Sequence, residues 1–147
     1  MPQLARRDVR NLLLGPGASA GVKKLAAGAL ARLAINADNQ ATIAAAGAIP
    51  PLVQLLGARS PSDVQKHAAA VLVILAQKAD KVAMVAAGAI PPLVLLLRPG
   101  ADDLPKEFAA RVLARLGHNN TKNRDAIAAA GASAGVDVLE KMERLSI

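Results

Sequence analysis

The side chains able to do acid–base or metal chemistry are few and widely separated in this sequence. His67 and His118 are the two histidines, no cysteine occurs, and Asp102 and Asp103 form an adjacent carboxylate pair. The absence of cysteine excludes disulfides, thiolate metal sites and a thiol nucleophile. Each histidine is interpreted as an ordinary helix-face residue, and the two acids suit a helix N-terminus. The sequence therefore predicts no enzyme, no catalytic residue, no metal site and no cofactor.

A segment that occurs twice indicates how the chain is built. Residues 46–56 (AGAIPPLVQLL) recur as residues 87–97 (AGAIPPLVLLL), and only Gln54 against Leu95 differs. The glycines of the two copies are 41 residues apart, and a third, weaker copy begins at Ala130-Gly131-Ala132. Repetition at this period is typical of a solenoid, in which each unit buries its apolar face against its neighbours.

Each copy predicts a short helix, a glycine corner and a second helix that begins at a proline pair. Glycine readily adopts the left-handed conformation that ends a helix, so corners are expected at Gly47, Gly88 and Gly131. Proline fits the first turn of a helix, which suits Pro50-Pro51 and Pro91-Pro92. The apolar residues that follow each proline pair fill most of the second helix and indicate burial on more than one side.

A third helix completes each unit, in the aligned segments 24–34, 66–76 and 107–117. These segments carry the pattern Ala-x-x-Leu-x-x-Leu-Ala, with Gly117 in place of the last Ala in the third. This pattern and the Ala-Gly-Ala-Ile-Pro-Pro-Leu-Val corner resemble the armadillo repeat family over nearly the whole chain, from about Leu4. A two-helix HEAT unit has a similar period, but the short first helix and the glycine corner favour armadillo. The expected fold class is all-α, a right-handed α-solenoid (alpha-alpha superhelix) of about three to four armadillo repeats with incomplete ends.

The whole chain is expected to form a single armadillo-repeat domain, residues 1–147, with approximate units at 1–36 (partial), 37–77, 78–118 and 119–147 (partial). Residues 1–14 predict the second helix of a truncated first unit. The more polar helix within 136–145 predicts a cap that faces water at the C-terminal end. Two interpretations of the N-terminal edge stay open: the chain is a fragment of a longer array, or the edge is covered by self-association.

Composition and charge bear on location and partners. The longest uncharged run, residues 82–97, is shorter than a membrane span and is interrupted by glycine and proline. The first 24 residues match neither a signal peptide nor a transit peptide. An intracellular protein, cytoplasmic or nuclear, is therefore expected. The formal net charge of +7 suits an acidic partner or a polyanion.

The family resemblance implies where a partner binds. In armadillo proteins the third helices line a concave groove that binds extended peptides, and members that grip the peptide backbone commonly carry an Asn and, four residues earlier, a Trp. Here the Asn positions hold Arg32, Ile74 and Arg115, and the Trp positions hold Gly28, Ala70 and Arg111. All six depart from the pattern of the nuclear-import receptors. The expected groove is closer in character to basic-grooved members such as beta-catenin.

The groove candidates are the residues that the third helices are predicted to expose: Lys24, Arg32, Lys66, Ile74, Arg111 and Arg115. The bland alternative is that they are ordinary solvated residues. The expected function is a protein-interaction scaffold that binds an extended acidic segment of another protein. The alternative, from charge alone, is a polyanion or nucleic-acid binder. Nucleic-acid binding is favoured by exposed aromatic side chains on which the bases stack, whereas the sole aromatic residue, Phe108, is predicted to be buried. Positive charge along the groove would favour peptides, and a convex or terminal patch would favour polyanions.

Overall fold

The computed structural model describes residues 19–57, 59–76 and 80–145, and these residues form helices joined by short turns. The helices of the described residues are α1 Ala20–Leu33, α2 Ala37–Ala45, α3 Ile49–Gln54, α4 Ser62–Leu75, α5 Asp80–Ala86, α6 Ile90–Leu95, α7 Lys106–Gly117, α8 Thr121–Ala134 and α9 Val138–Leu145. The all-helical fold class is confirmed. The helix predicted within residues 1–14 and the N-terminal edge proposed for self-association lie outside the described residues.

The predicted three-helix unit occurs twice in succession, as α2–α3–α4 and as α5–α6–α7. The corner between the first two helices is a glycine with positive φ in both units, 77° at Gly47 and 81° at Gly88. At the second corner the Gly88 N–H donates to the Val85 carbonyl (3.0 Å) and the Ala89 N–H donates to the Met84 carbonyl (3.1 Å). These bonds satisfy carbonyls at the end of α5, as a left-handed helix end requires. The corners predicted at Gly47 and Gly88 are confirmed.

The second helices form the centre of the core. Both are only six residues long, and each begins one residue before its proline pair. The prolines cannot weaken these helices because the first N–H groups of any helix lack an internal acceptor. The apolar run predicted to be buried on several sides is buried, with relative exposures of 0% at Leu52, 6% at Val53, 2% at Leu55 and 1% at Leu56.

The long third helices form a row, because α4 packs against α1 on one side and against α7 on the other. Small residues allow this close approach: Ala27 of α1, Ala68 and Ala69 of α4, and Ala109 and Ala110 of α7 are fully buried. One side of each helix is therefore inside the core. The opposite side remains on the surface and carries the candidate binding residues.

The corner predicted at Gly131 is wrong. Helix α8 continues through Gly131 to Ala134, and the left-handed residue is Gly135, with φ 70°. No proline pair follows Gly131, so the sequence Ala-Ser-Ala extends the helix by another turn. Gly131 is buried, and a Cβ built there would lie 2.5 Å from Val138 Cγ2 and 2.9 Å from the Val136 carbonyl oxygen. This glycine provides space for the chain returning into α9.

Candidate functional site

The acidic pair has a structural explanation. Asp102 Oδ1 accepts a hydrogen bond from the Leu104 N–H (3.1 Å), and Asp103 forms an ion pair with Lys106 (3.3 Å). The bond from Leu104, followed by one from Ser62, lowers the pKa of the Asp102 carboxyl below its usual range. Among the described residues, no group of three His, Cys, Asp or Glu side chains is placed to hold a metal ion.

The candidate binding residues belong to one surface, which we call the third-helix face. On each helix its members lie one, three or four positions apart and so share one side of the helix. None of them is buried. The third-helix face comprises Lys24, Leu25, Gly28 and Arg32 on α1, Asp63, Lys66, His67, Ala70 and Ile74 on α4, and Glu107, Phe108, Arg111 and Arg115 on α7.

Three of the five predicted cations have partners within the protein. Lys24 Nζ lies 3.3 Å from Asp63 Oδ2, which links α1 to α4. Arg111 pairs with Glu107 one turn earlier on α7. Arg115 Nη1 donates to the Val73 carbonyl oxygen (3.1 Å), at the C-terminal end of α4.

The other two cations, Arg32 and Lys66, form no ion pair or hydrogen bond within residues 19–57, 59–76 and 80–145. Their charges are therefore available to a ligand. The third-helix face also contains two acids, Asp63 and Glu107, that the prediction of a basic groove did not count. Glu107 was detectable from the alignment of the third helices, because it occupies the position of Lys24 and Lys66.

His67 lies among these charges and was not among the predicted site residues. Partial burial lowers the pKa of its imidazole below the ordinary value of 6.5, and the neighbouring charge of Lys66 lowers it further. Lys24 and Arg32 act in the same direction, whereas Asp63 opposes them. The neutral imidazole is therefore the favoured form at neutral pH.

One cavity of about 680 Å³ brings together three of the predicted residues, Lys24, Arg32 and Ile74. Its other walls include His67, Gly28 and the apolar side chains of Leu25 and Ile35. Leu25 and Ile35 are 73% and 76% exposed. The remaining predicted residues, Lys66, Arg111 and Arg115, do not line this cavity. The sequence prediction included Ile74 but omitted the other two large apolar residues, Leu25 and Ile35.

Phe108 is half-buried, so the prediction that it is buried is wrong. The ring packs against the core from the third-helix face, and the Arg111 guanidinium carbon lies 5.8 Å from the ring centre. This distance is within the range of a cation–π contact. The only aromatic side chain of the sequence therefore packs against the core and is also partly accessible at the candidate surface.

Comparison with known proteins identifies the repeat. Residues 36–77 match the family model of the Armadillo/beta-catenin-like repeat. A crystal structure of computationally designed armadillo repeat proteins for modular peptide recognition is 31% identical, with a TM-score of 0.72 over 84% of this chain. The chain belongs to the armadillo repeat family.

Two other solved structures extend this similarity. The crystal structure of an engineered protein is 34% identical, with a TM-score of 0.71 over 84% of this armadillo chain. A designed armadillo repeat protein in complex with the peptide (KR)4 is 27% identical, with a TM-score of 0.72 over 92% of the chain.

The armadillo chain spans only part of these relatives: 51% of the engineered protein, 52% of the protein designed for peptide recognition and 60% of the peptide complex. A search of curated proteins finds no match. Within the part of the chain that the structure describes, no helix has both the length and the apolar character of a membrane span.

Proposed function

We propose that this armadillo chain is a protein-interaction scaffold that binds an extended acidic segment of a partner protein along the third-helix face. The observation that carries the proposal is the excess of positive charge there. The third-helix face contains five Lys and Arg side chains but only two acidic ones, and both Arg32 and Lys66 lack a counter-ion within the described residues. Successive helices α1, α4 and α7 repeat the surface, which suits an extended ligand.

The similar designed proteins support a general role in peptide binding, but one of them binds a peptide whose charge is opposite to the one expected for the ligand of this chain. One was designed for modular peptide recognition, and another is bound to the basic peptide (KR)4. A basic peptide would meet repulsion on the third-helix face of this chain, because like charges across an interface are unfavourable. Charge complementarity therefore favours a ligand rich in Asp and Glu.

The proposal is tested with a pair of charge-reversed variants. The first, Arg32→Glu/Lys66→Glu, removes the two cations without internal partners. The matched control, Arg98→Glu/Lys122→Glu, alters two exposed residues outside the third-helix face and causes the same change of formal net charge, from +7 to +3. Because the control reproduces the change in total charge, only the location of the charge differs between the two variants.

Binding is measured with a fluorescein-labelled peptide of alternating Asp and Ser, and with a single-stranded oligonucleotide as the polyanion probe. We expect the peptide to bind the native protein and the control, and to lose about tenfold or more in affinity with Arg32→Glu/Lys66→Glu, as interfacial charge reversal costs a few kcal/mol. Binding should weaken with added salt, since exposed charges are screened over about 8 Å at physiological ionic strength. Equal losses in both variants would contradict the proposal and favour general polyanion binding through net charge.

A further inference from the structure

The cavity between α1 and α4 is bordered by large apolar side chains, which the binding of charged groups alone does not explain. Leu25 and Ile35 are large apolar side chains that are mostly exposed, and both border the 680 Å³ cavity together with Ile74. That volume falls within the range of about 300–1,000 Å³ that is typical of ligand pockets. Clustered exposed apolar side chains commonly mark a place where another molecule binds.

Gly28 leaves the cavity open. A Cβ built on this residue would have the His67 ring as its nearest neighbour, with Cε1, Nδ1 and Nε2 at 3.7, 3.8 and 3.8 Å. Three ring atoms at nearly equal distance indicate that the imidazole presents its flat side toward Gly28. At the equivalent position of α7, the side chain of Arg111 lies over Phe108 and pairs with Glu107 instead. The α1 helix therefore offers a space that α7 fills with its own side chains.

The polar groups around the cavity suit a ligand with both apolar and acidic character. Arg32 is exposed at the wall of the cavity, and Lys24, which also lines the cavity, is paired with Asp63. The space between Gly28 and the flat side of His67 is only one methyl group deep. An incoming ring can therefore lie over Gly28 and contact the edge of the imidazole, and edge-to-face aromatic pairs gain free energy beyond the area that they bury. Large aromatic side chains are also the commonest anchors of protein interfaces.

We propose that this cavity binds an aromatic side chain of the partner segment, packed over Gly28 and against His67, with an adjacent carboxylate of the same segment paired to Arg32. The inference rests on the proposed function and adds a sequence requirement to it. The ligand is an acidic segment with one aromatic residue at a fixed place. Because Ala70 and Arg111 occupy the equivalent positions on α4 and α7, the specific recognition occurs at the α1 end of the third-helix face.

The protein contains no tryptophan and no tyrosine, so a tryptophan in the ligand reports its own environment. Two synthetic peptides serve as probes: acetyl-Gly-Ser-Asp-Glu-Trp-Glu-Asp-Ser-Gly-amide and the same peptide with Ser in place of Trp. Affinities come from competition against the labelled Asp-Ser peptide, and the tryptophan emission is followed directly. We expect the Trp peptide to bind about tenfold or more tightly than the Ser peptide, since an aromatic ring buries about 150–250 Å². Its emission should shift to shorter wavelength on binding.

Two variants locate the effect. Gly28→Leu fills the cavity. It should lower the affinity of the Trp peptide to that of the Ser peptide and leave the affinity of the Ser peptide unchanged. Ala70→Leu makes the corresponding change one unit further along the third-helix face, and should leave both affinities and the emission shift unchanged. Ile35→Ser is an independent test that alters only an exposed wall of the cavity, and it should weaken the Trp peptide by about threefold to tenfold, in line with the loss of one apolar contact.

The outcomes separate this inference from the proposed function. If the two peptides bind the native protein equally and displace the labelled peptide, the proposal of an acidic ligand is supported and the proposal of an aromatic pocket is overturned. If the Trp peptide binds more tightly but Gly28→Leu and Ile35→Ser have no effect, the pocket is not at Gly28. If neither peptide binds, both proposals are overturned.

Discussion

The two glycines inside helices α1 and α8 lead to opposite predictions for the same substitution. Gly28 and Gly131 both lie in the interior of a 14-residue helix, where glycine is less favourable than alanine by about 0.5–1 kcal/mol. From helix propensity alone, Gly28→Ala and Gly131→Ala would stabilise the protein equally. The surroundings of the new methyl group decide otherwise.

At Gly28 the atoms nearest to the methyl group would be those of the His67 ring, at 3.7 Å or more, which is an ordinary van der Waals distance. The propensity gain is then kept, and Gly28→Ala should stabilise the protein by about 0.5–1 kcal/mol. At Gly131 the methyl carbon would overlap Val138 Cγ2 at 2.5 Å and the Val136 carbonyl at 2.9 Å. Such overpacking costs about 1–3 kcal/mol, so Gly131→Ala should destabilise the protein by up to about 2 kcal/mol after the propensity gain.

The measurement is the urea midpoint of unfolding, followed by circular dichroism at 222 nm, with thermal melting as a second readout. For a chain of this size, 1 kcal/mol corresponds to about 3–4 °C in Tm. A double-mutant cycle with Val138→Ala tests the assigned cause, since removing Cγ2 should reduce the cost of Gly131→Ala. A stabilising effect of Gly131→Ala, or a cost unchanged in the Val138→Ala background, would refute the assignment of Gly131 to close packing.

Two further predictions follow from the third-helix face. NMR titration should give His67 a pKa below 6.5, and Lys66→Gln should raise that pKa toward 6.5 because it removes a neighbouring positive charge. With a lowered pKa, His67 binds fewer protons in the folded state than in the unfolded state. Its contribution to stability is therefore present above pH 6.5 and declines as the pH falls toward the folded-state pKa. A measured His67 pKa above 6.5 would contradict this prediction. In urea unfolding, Arg115→Ala should lower the free energy of unfolding by about 1 kcal/mol, because the hydrogen bond to the Val73 carbonyl is lost. The control Arg32→Ala should change the free energy of unfolding by less than about 0.5 kcal/mol. Equal effects of the two substitutions would show that the hydrogen bond does not contribute to stability.

The repeat was predictable from sequence because its signals are local. Gly47 and Gly88 must adopt positive φ at a helix end, and the proline pairs must follow, so a single-residue conformational rule identifies each corner. Gly131 has the same flanking alanines but no proline pair after it, and it satisfies a different requirement, the approach of Val138 from the next helix. The prediction relied on the Ala-Gly-Ala match alone, and the contact with Val138 has no signature in the neighbouring residues.

The candidate surface was predictable only in part for a similar reason. Helix periodicity correctly put Lys24, Arg32 and Lys66 outside the core, because periodicity is a property of one helix. The ion pair from Lys24 to Asp63 depends on how far α4 is shifted along α1, which no single helix encodes. The cavity at Gly28 likewise requires two helices and the ring of His67.

The contacts between successive third helices bear on how such an array can change in evolution. The bond from Arg115 is to a backbone carbonyl, and every residue supplies a carbonyl, so this link tolerates the exchange of one unit for another. The ion pair between Lys24 and Asp63 depends on a side chain. Deleting residues 47–87 by unequal recombination between the two corners would bring α7 beside α1 and would put Leu104, 41 positions beyond Asp63, in the place of Asp63. The near-identical corners would permit that recombination, and the unmatched lysine would cost its product only about 0–1 kcal/mol, because the lost ion pair is an exposed one.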